Sequence, residues 1–285
     1  MRYKGRRQSS NIEDRRSMST GKKVGLSGGV LSIVVVIVVM LLGGDPSAIL
    51  NLMQAGSDYS STSTEYQPTA QEEELAEFIS VVLADTEDVW HKLFNDMGLQ
   101  YREPKLVLFS GQVNSACGFS SAATGPFYCP GDDRIYIDLL FLQQLQKRLG
   151  ANGDFAMAYI IAHEVGHHVQ KQFGTLDELN SLRPRVSQTQ YNELTVRLEL
   201  QADFFAGVWA HHAQKMKNIL EAGDIEEAVN AAQAVGDDRI QMQSQGYVVP
   251  DSFTHGTSAQ RMSWFKKGFN TGNINDGNTF DRDAI

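Results

Sequence analysis

Residues 158–172 read AYIIAHEVGHHVQKQ, an apolar run that leads into three histidines, a glutamate and a glycine. Side chains four residues apart lie on one face of an α-helix, so His163 and His167 can bind the same metal ion. Glu164 lies about 100° around the helix from His163, where it can take a proton from a water beside the metal. Two imidazoles suit Zn²⁺, and an adjacent carboxylate is the arrangement of a zinc peptidase.

The alternative is a helix in which the histidines bind no metal. Three fixed positions in five residues arise by chance in many chains, so the pattern alone does not decide. The preceding residues, 155–162, are apolar and predict a buried helix, where histidine and glutamate are costly unless they have partners. Gly166 leaves room for a close approach of backbone or substrate, and His168 faces away from the predicted ligands. A third ligand elsewhere in the sequence would favour the zinc site over a helix whose histidines bind no metal.

The third ligand is predicted on a second helix. Metzincins have a third histidine six residues after the second, and this chain has a phenylalanine there, so that class is excluded. Residues 193–209, ELTVRLELQADFFAGVW, place Glu199 and Asp203 four residues apart among apolar neighbours. We predict that Glu199 is the ligand and that Asp203 accepts a hydrogen bond from a ligand imidazole. Glu193 is the rival ligand, and the other alternative is a solvated helix on which Glu199 pairs with Arg197.

Five blocks of the chain resemble one protein family. They cover nearly the whole sequence, and they read AHEVGHH (162–168), RLELQADFFAG (197–207), RYKGRRQSSNIEDRR (2–16), CGFSSAATGPFYCPGDDRIYIDL (117–139) and THGTSAQRMSWFKKGF (254–269). The chain resembles the bacterial family of neutral zinc metallopeptidases that carry an N-terminal membrane anchor. Its zinc layout is also similar to gluzincins of the CAAX prenyl endopeptidase type, in which an aspartate follows the glutamate ligand by four residues. The resemblance implies a zinc peptidase but supplies no substrate.

An uncharged apolar segment, residues 24–44, predicts a single transmembrane helix. A helix of this length spans about 31 Å, which is enough for the hydrocarbon core of a bilayer. The basic residues of the head, 1–23, place that end in the cytoplasm, so we expect a single-pass protein of the bacterial cytoplasmic membrane with its C-terminal domain in the periplasm. Residues 45–70 predict a Ser- and Thr-rich linker, and residues 71–285 the zinc metallopeptidase domain. A buried soluble helix and a cleaved signal peptide are the alternatives.

Charge is distributed unevenly along the chain. Residues 1–23 carry eight basic and two acidic side chains, a net charge of +6, whereas the remainder carries −15. An acidic domain repels phosphates, which argues against a nucleic-acid partner. The basic head is better suited to anionic lipid headgroups. We therefore expect a peptide or protein substrate, attachment to the membrane through residues 24–44, and no nucleic acid.

Cys117 and Cys129 are the only cysteines. In the oxidising compartment predicted above, an isolated pair twelve residues apart predicts a disulfide bond, which stabilises the fold by about 3 kcal/mol on chain-entropy grounds. Two thiols without a second pair are too few for a zinc knuckle. The loop between them precedes a predicted strand, so the bridge is expected at the rim of the substrate cleft.

The order of predicted elements defines the fold class. Strands are predicted at residues 104–111 and 133–138, ahead of the zinc helix at 154–173, and helices follow it. We predict an α+β fold, a zincin-like domain that is mostly helical with a small sheet, preceded by the transmembrane helix. The remaining predictions are helices at 72–98, 139–150, 186–217, 224–241 and 258–269 and a frayed tail at 270–285.

These parts predict a membrane-anchored zinc endopeptidase with one Zn²⁺ per chain and Glu164 as general base. A tetrahedral oxyanion needs a further donor, for which His255 is the candidate, with Arg261 close behind it in the sequence. An ordinary loop histidine is the alternative for His255.

Two other functions stay open: a zinc amidase or peptidase that acts on cell-wall peptides, and a non-catalytic module that uses the zinc fold for binding. The second is disfavoured because Glu164 is present.

Overall fold

A small sheet and a larger set of helices make up the structure, a computed structural model that describes residues 1–17, 66–121, 125–149 and 153–281. The described strands are β1 (Ile12–Asp14), β2 (Lys105–Phe109), β3 (Gln112–Ser115), β4 (Gly118–Ser121), β5 (Phe127–Cys129) and β6 (Arg134–Asp138). The described helices are α1 (Ala70–Asp96), α2 (Leu139–Leu149), α3 (Asp154–Gln172), α4 (Thr175–Leu182), α5 (Gln188–Lys217), α6 (Asp224–Ala234), α7 (Asp237–Gln245) and α8 (Ser258–Thr271). This architecture confirms the predicted α+β class.

The predicted transmembrane helix, residues 24–44, lies outside the described residues. So does most of the predicted linker, because residues 18–65 are not described. Within the described ranges, no helix combines the length and the apolar character that crossing a bilayer requires. The membrane span therefore stays a prediction.

Four strands form the main sheet in the order β1-β2-β6-β5. β1, β2 and β6 run parallel, and β5 pairs antiparallel with β6 at one edge. Both faces of β2 and β6 are buried, as expected of parallel strands. One face contributes Leu106, Leu108, Ile135 and Ile137 to the main helical core. The other covers a smaller core with Val107, Phe109 and Tyr136, together with Val113 of the β3–β4 hairpin and Cys129.

Cys117 and Cys129 form the predicted disulfide bond. Cys117 lies in the turn of the β3–β4 hairpin, and Cys129 ends β5, so the bridge ties the hairpin to the antiparallel edge of the main sheet. Cys129 is fully buried. The bond therefore adds a covalent link to the packing of Val113, a hairpin residue that belongs to the smaller core.

Most predicted helices and strands are present, but β1, β5 and α4 were not predicted, and three further regions differ from the prediction. The helix predicted at 224–241 is two helices, because the backbone at Gly236 passes so close to Ser258 that a Cβ at this position would lie 2.2 Å from the Ser258 nitrogen. The β3–β4 hairpin was not predicted. The tail predicted to be frayed is packed through residue 280: Thr279 is fully buried and donates a hydrogen bond to the carbonyl oxygen of Arg197.

Close helix crossings set the geometry around α5. A Cβ on Gly166 of α3 would lie 3.0 Å from the carbonyl oxygen of Ala202, so glycine lets α3 approach the backbone of α5. On the other side, Gly207 of α5 and Gly268 of α8 lie against the facing helix, and a Cβ on either would be 2.1 Å from a carbonyl oxygen. Small residues at these crossings therefore bring the side chains of α3, α5 and α8 together.

Residues 1–17 belong to the folded unit, although the sequence predicted them as part of a separate basic head. β1 pairs in parallel with β2, with Ile12 opposite Leu106 and Asp14 opposite Leu108. Met1 is buried in the main core, and its ammonium group donates hydrogen bonds to Asp154 and Asp224. The peptidase domain predicted at 71–285 is thus completed by a strand from the start of the chain.

Candidate metal centre

Two helices bring the three predicted metal ligands together. α3 supplies His163 and His167, one turn apart, and α5 supplies Glu199. One carboxylate oxygen of Glu199 lies 3.2 Å from Nε2 of His163, and the other lies 3.5 Å from Nε2 of His167. A ligand atom from each of the three lies within 4.8 Å of the other two. The rival Glu193 is exposed at the start of α5 and is not in this cluster.

The spacing and orientation of these groups suit a tetrahedral zinc ion. Nitrogen and oxygen ligands lie about 2.0–2.1 Å from zinc, so two ligands of one tetrahedron are about 3.3 Å apart. The two nitrogen–oxygen distances, 3.2 and 3.5 Å, bracket this value. Both imidazoles have a hydrogen-bond acceptor at Nδ1, which directs Nε2 of His163 and of His167 towards Glu199. The donor set of two imidazoles and a carboxylate is the one found in many zinc peptidases.

Asp203 fixes the orientation of the His163 ring. Nδ1 of His163 donates to Oδ1 of Asp203 at 2.8 Å, and the hydroxyl of Tyr159 donates to the same oxygen. Arg261 of α8 donates to both oxygens, from Nε at 2.8 Å and from Nη2 at 2.9 Å. Asp203 is fully buried and Arg261 nearly so. The structure thus brings Asp203 and Arg261 together next to His163, and their roles stay predictions.

The carboxylates make this point of the structure favourable for a cation. Burial opposes ionisation of Asp203, but Arg261 and His163 outweigh it and lower the Asp203 pKa to about 2. Burial likewise opposes a charge on His163, but Asp203 and Glu199 outweigh it and raise the His163 pKa to about 10, so a metal bound at Nε2 takes the place of the proton there. Burial would also raise the pKa of Glu199, yet the neighbouring histidines hold it well below its usual value. Two ionised carboxylates therefore face the imidazoles, as a divalent metal requires.

Gln170 orients His167 and was not predicted. Nδ1 of His167 donates to the side-chain oxygen of Gln170 at 2.8 Å. The Gln170 amide nitrogen donates in turn to the carbonyl oxygen of Leu198 and to Gln201, and the side chain is fully buried. Gln170 follows His167 by three residues, so helical spacing could have identified it. Tyr159, four residues before His163, could have been identified by the same rule.

Glu164 lies next to the ligands with its carboxylate unengaged. The residue is buried to 8% exposure. Among the described residues, no side chain or backbone group donates a hydrogen bond to it, in contrast with Glu199 and Asp203. A carboxylate without a protein partner is available to a water or a substrate. This is the property that a general base needs.

His255 is held near Glu199 by an aspartate that was not predicted. Asp237, the first residue of α7, accepts backbone hydrogen bonds from Thr254, His255 and Gly256 through one oxygen. Its other oxygen lies 3.3 Å from Nδ1 of His255. Burial lowers the pKa of His255, but the hydrogen bond to Asp237 and the charge of Glu199 outweigh it and raise the pKa above its usual value. No sequence rule connects Asp237 to a histidine 18 residues later.

The other histidines have structural contacts. His168 is buried between β5 and the segment before β2, where Nε2 donates to the carbonyl oxygen of Arg102 and Nδ1 lies 3.1 Å from the hydroxyl of Tyr128. His211 and His212 contact backbone oxygens at the end of α8. These contacts agree with the prediction that His168 is not a ligand.

Replacing Asp203 with alanine is expected to weaken zinc binding about 10- to 100-fold, because the His163 ring loses the acceptor that fixes it. The variant should also lose about 3–5 kcal/mol of stability, because Arg261 is left buried without its counter-charge. Chelator competition measures the first effect and denaturant unfolding the second. The double variant Asp203→Ala/Arg261→Met separates them: it should recover stability but not zinc affinity. Wild-type affinity in Asp203→Ala would contradict the assigned role.

The chain is similar to other bacterial proteins over nearly its whole length. A family model described as "Putative neutral zinc metallopeptidase" matches residues 1–280. The chain is 48% identical to "Uncharacterized protein YpfJ" of Escherichia coli strain K12 over 290 residues, which cover 99% of each chain. It is 37% identical to "Uncharacterized protein Rv2575" of Mycobacterium tuberculosis strain H37Rv over 252 residues, with 85% of this chain and 84% of the relative covered. No solved structure matches the chain significantly.

Proposed function

The chain belongs to the neutral zinc metallopeptidase family, and we propose that it is a zinc-dependent endopeptidase. The observation that carries the proposal is the convergence of His163, His167 and Glu199 beside a buried carboxylate, Glu164, that has no partner among the described residues. A binding module would need the three ligands but not an unengaged carboxylate next to them. A catalytic centre needs both.

One zinc ion per chain fits the single cluster of two histidines and a carboxylate in the described residues. Zinc held by His163, His167 and Glu199 would supply a Lewis acid that polarises the scissile carbonyl and acidifies water. Asp203 and Gln170 hold the two imidazoles in the tautomer whose Nε2 is free to coordinate. The second acidic group, Asp154 with Asp224 and Glu227, does not compete, because the Met1 ammonium donates to Asp154 and Asp224.

Glu164 acts as the general base and then as the general acid. Its carboxylate accepts a proton from the water that attacks the peptide carbonyl, and it passes this proton to the leaving amine. Both transfers need a carboxylate that is not tied up in an ion pair. The adjacent position on α3 keeps Glu164 beside the ligands without placing it among them.

His255 stabilises the oxyanion of the tetrahedral intermediate. With Nδ1 directed to Asp237, the opposite ring nitrogen, Nε2, is the donor available to substrate. The raised pKa of His255 favours the imidazolium form, in which both ring nitrogens carry a proton. Asp237 therefore positions the ring and supports its charge, while His255 makes the contact with the reacting atoms.

The fold is proposed to be zincin-like. The support is a small sheet with one antiparallel edge strand, β5, packed against the helix that carries the two histidines, followed by a second helix that carries the glutamate. Tyr128 of β5 lies within 3.1 Å of His168 on α3, and the Cys117–Cys129 bridge holds the end of β5. These contacts support the predicted position of the bridge at the rim of the substrate cleft.

The proposed location is the outer side of the bacterial cytoplasmic membrane, with attachment through residues 24–44. The support is the disulfide bond, which persists in oxidising compartments, and the apolar character of that segment. A peptide or protein in that compartment is the proposed substrate. Cell-wall peptides are the alternative substrate class for the same site.

Removing the oxyanion donor is expected to slow catalysis and leave the metal. His255→Ala should lower kcat by about 10²–10³-fold, as the loss of one such donor does in other hydrolases, with KM and zinc content little changed. Steady-state kinetics on a peptide substrate and metal analysis provide the measurements.

Asp237→Asn is the matched variant, because the amide keeps the shape of the side chain but loses its charge. The wild-type rate should fall as pH rises through the pKa of His255, which burial lowers and the hydrogen bond to Asp237 raises, since the imidazolium is the active form. Without the Asp237 charge this alkaline limb should move to lower pH. An alkaline limb that stays in place, or a His255→Ala variant with unchanged kcat, would contradict the role.

The proposal is tested with the full chain purified in detergent, because a fragment that starts at residue 71 would lack β1. Zinc content and hydrolysis of a peptide library are measured for the wild type and for Glu164→Gln. Peptide cleavage by the zinc-loaded wild type and not by the variant supports the endopeptidase. Cleavage of cell-wall peptides only would favour the alternative substrate class, and zinc binding without hydrolysis of either would favour a binding module.

A further inference from the structure

The backbone of residues 1–17 is hydrogen-bonded into three separate parts of the domain. Arg2 donates to the carbonyl oxygen of Ile219 after α5, and Ser9 donates to that of Ser80 in α1. Further along, the nitrogen of Leu106 donates to the carbonyl oxygen of Asn11, and β1 then continues in register with β2. The segment is therefore a part of the fold and not an extension attached to its surface.

Apolar side chains of the same segment complete the main core. Met1 is 5% exposed, and Tyr3 packs edge-on against Phe78 of α1 with ring centroids 5.1 Å apart. Ile12 of β1 packs against the same core. Loss of the segment would expose apolar surface of α1 to water.

The buried carboxylates of α1 depend on this segment. Glu87 is 2% exposed, and its described hydrogen-bond partners, Arg7, Ser9 and Asn11, all come from residues 1–17. Asp85, 1% exposed, pairs with Arg6 at 2.6 Å as well as with Lys217. A buried carboxylate without partners is strongly unfavourable. The acidic face of α1 is thus built to receive the basic N-terminal segment.

These ion pairs give the basic side chains near the N-terminus a role within the fold. In the linear sequence these charges indicate an end that stays in the cytoplasm. In the structure Arg6 and Arg7 neutralise α1, and Arg16 pairs with Glu73 of the same helix and with Asp14 of its own segment. Their charge is therefore accounted for by docking within the fold.

We propose that residues 1–17 and residues 66–281 fold together in one compartment, with the acidic face of α1 as the docking surface for the basic N-terminal segment of the same chain. Strand pairing between β1 and β2 requires that both lie on the same side of any membrane. A chain that crossed a bilayer once between residue 17 and residue 66 would put them on opposite sides. The predicted cytoplasmic position of residues 1–23 and the predicted extracytoplasmic position of the domain are therefore incompatible, and the disulfide bond favours the outside of the cytoplasm for both.

The test uses two exposed positions that the docking brings together. Nζ of Lys4 lies 2.9 Å from a carboxylate oxygen of Glu74 in α1, and both side chains are 59% exposed. Exposed ion pairs contribute little to stability, so the single variants Lys4→Cys and Glu74→Cys of the full chain are expected to fold. Each is expressed in a bacterial host, and intact spheroplasts are treated with a membrane-impermeant maleimide. The wild type, whose two cysteines are bonded to each other, is the blank.

Both single variants are expected to react to the same extent in intact spheroplasts. The double variant Lys4→Cys/Glu74→Cys also carries a protease site inserted between residues 45 and 60. A short permeant bis-maleimide should join residues 4 and 74. The two fragments should then stay linked after the protease cuts the chain. If neither site reacts with the impermeant maleimide but the cross-link still forms, the two segments share one compartment, and that compartment is the cytoplasm. Labelling of one site with protection of the other, or absence of the cross-link, would overturn the inference. None of these readouts requires peptidase activity, so failure of the proposed function would leave them unchanged.

Discussion

Replacing Glu164 with glutamine is expected to lower the rate of peptide hydrolysis by about 10²–10⁴-fold, the usual contribution of a general base, while the chain still binds one zinc ion. The amide keeps the size of the side chain but cannot accept a proton from the attacking water. Zinc binding should not change, because Glu164 contacts none of His163, His167 and Glu199 through a described hydrogen bond. Metal analysis and kcat on the same preparation measure both effects.

A shorter carboxylate at the same position provides a control for this variant. Glu164→Asp keeps the carboxylate but shortens its reach, so it should retain more activity than Glu164→Gln. Both variants should unfold at the wild-type denaturant concentration, because the Glu164 carboxylate has no described partner to lose. Full activity in Glu164→Gln would assign the proton transfers to another group and would remove the central observation on which the proposed function rests.

Replacing Glu199 with alanine is expected to remove zinc from the purified protein and to abolish activity. The substitution deletes one of the three proposed ligands, and the two remaining imidazoles are expected to bind zinc too weakly to retain it through purification. It also deletes the carboxylate that lies 3.2 Å from His163 and 3.5 Å from His167. Zinc per chain by elemental analysis, and affinity by chelator competition, provide the measurements.

Glu193→Ala is the matched control for this prediction, because Glu193 lies on the same helix but is exposed at its N-terminal end. It should keep full zinc content and activity. The expected order of zinc affinity is wild type and Glu193→Ala together, then Asp203→Ala, then Glu199→Ala. If Glu193→Ala lost the metal and Glu199→Ala kept it, the ligand assignment on α5 would be wrong and the role of Asp203 would fall with it.

The ligand helix and its partner could be predicted because their information is local. The four-residue spacing of His163 and His167, and of Glu199 and Asp203, follows from helix geometry, and an acidic pair among apolar residues indicates a buried helix. The disulfide bond could be predicted because the chain has only two cysteines. Helix boundaries on α1, α3 and α5 followed from periodicity for the same reason.

Contacts between distant segments could not be predicted in this way. Asp237 orients His255 from a helix whose start was not predicted, because the break at Gly236 is imposed by the backbone of Ser258. Gln170 was passed over because a buried glutamine has no pattern of its own, and only the pairing of His167 with its amide shows its role.

The sequence by itself determined the chemistry of the site: which side chains lie on one helix face, which of them suit zinc, and which carboxylate lies beside them. The tertiary structure alone decided how the ends of the chain are arranged. The eight basic residues of 1–23, next to an apolar segment, predicted a cytoplasmic head separate from the domain, because charge and hydropathy are read along the chain. In the fold, Arg6 and Arg7 lie against buried carboxylates of α1 and β1 pairs with β2. Burial makes those ion pairs and strand contacts obligatory, and burial is a property of the packed molecule that linear patterning does not contain.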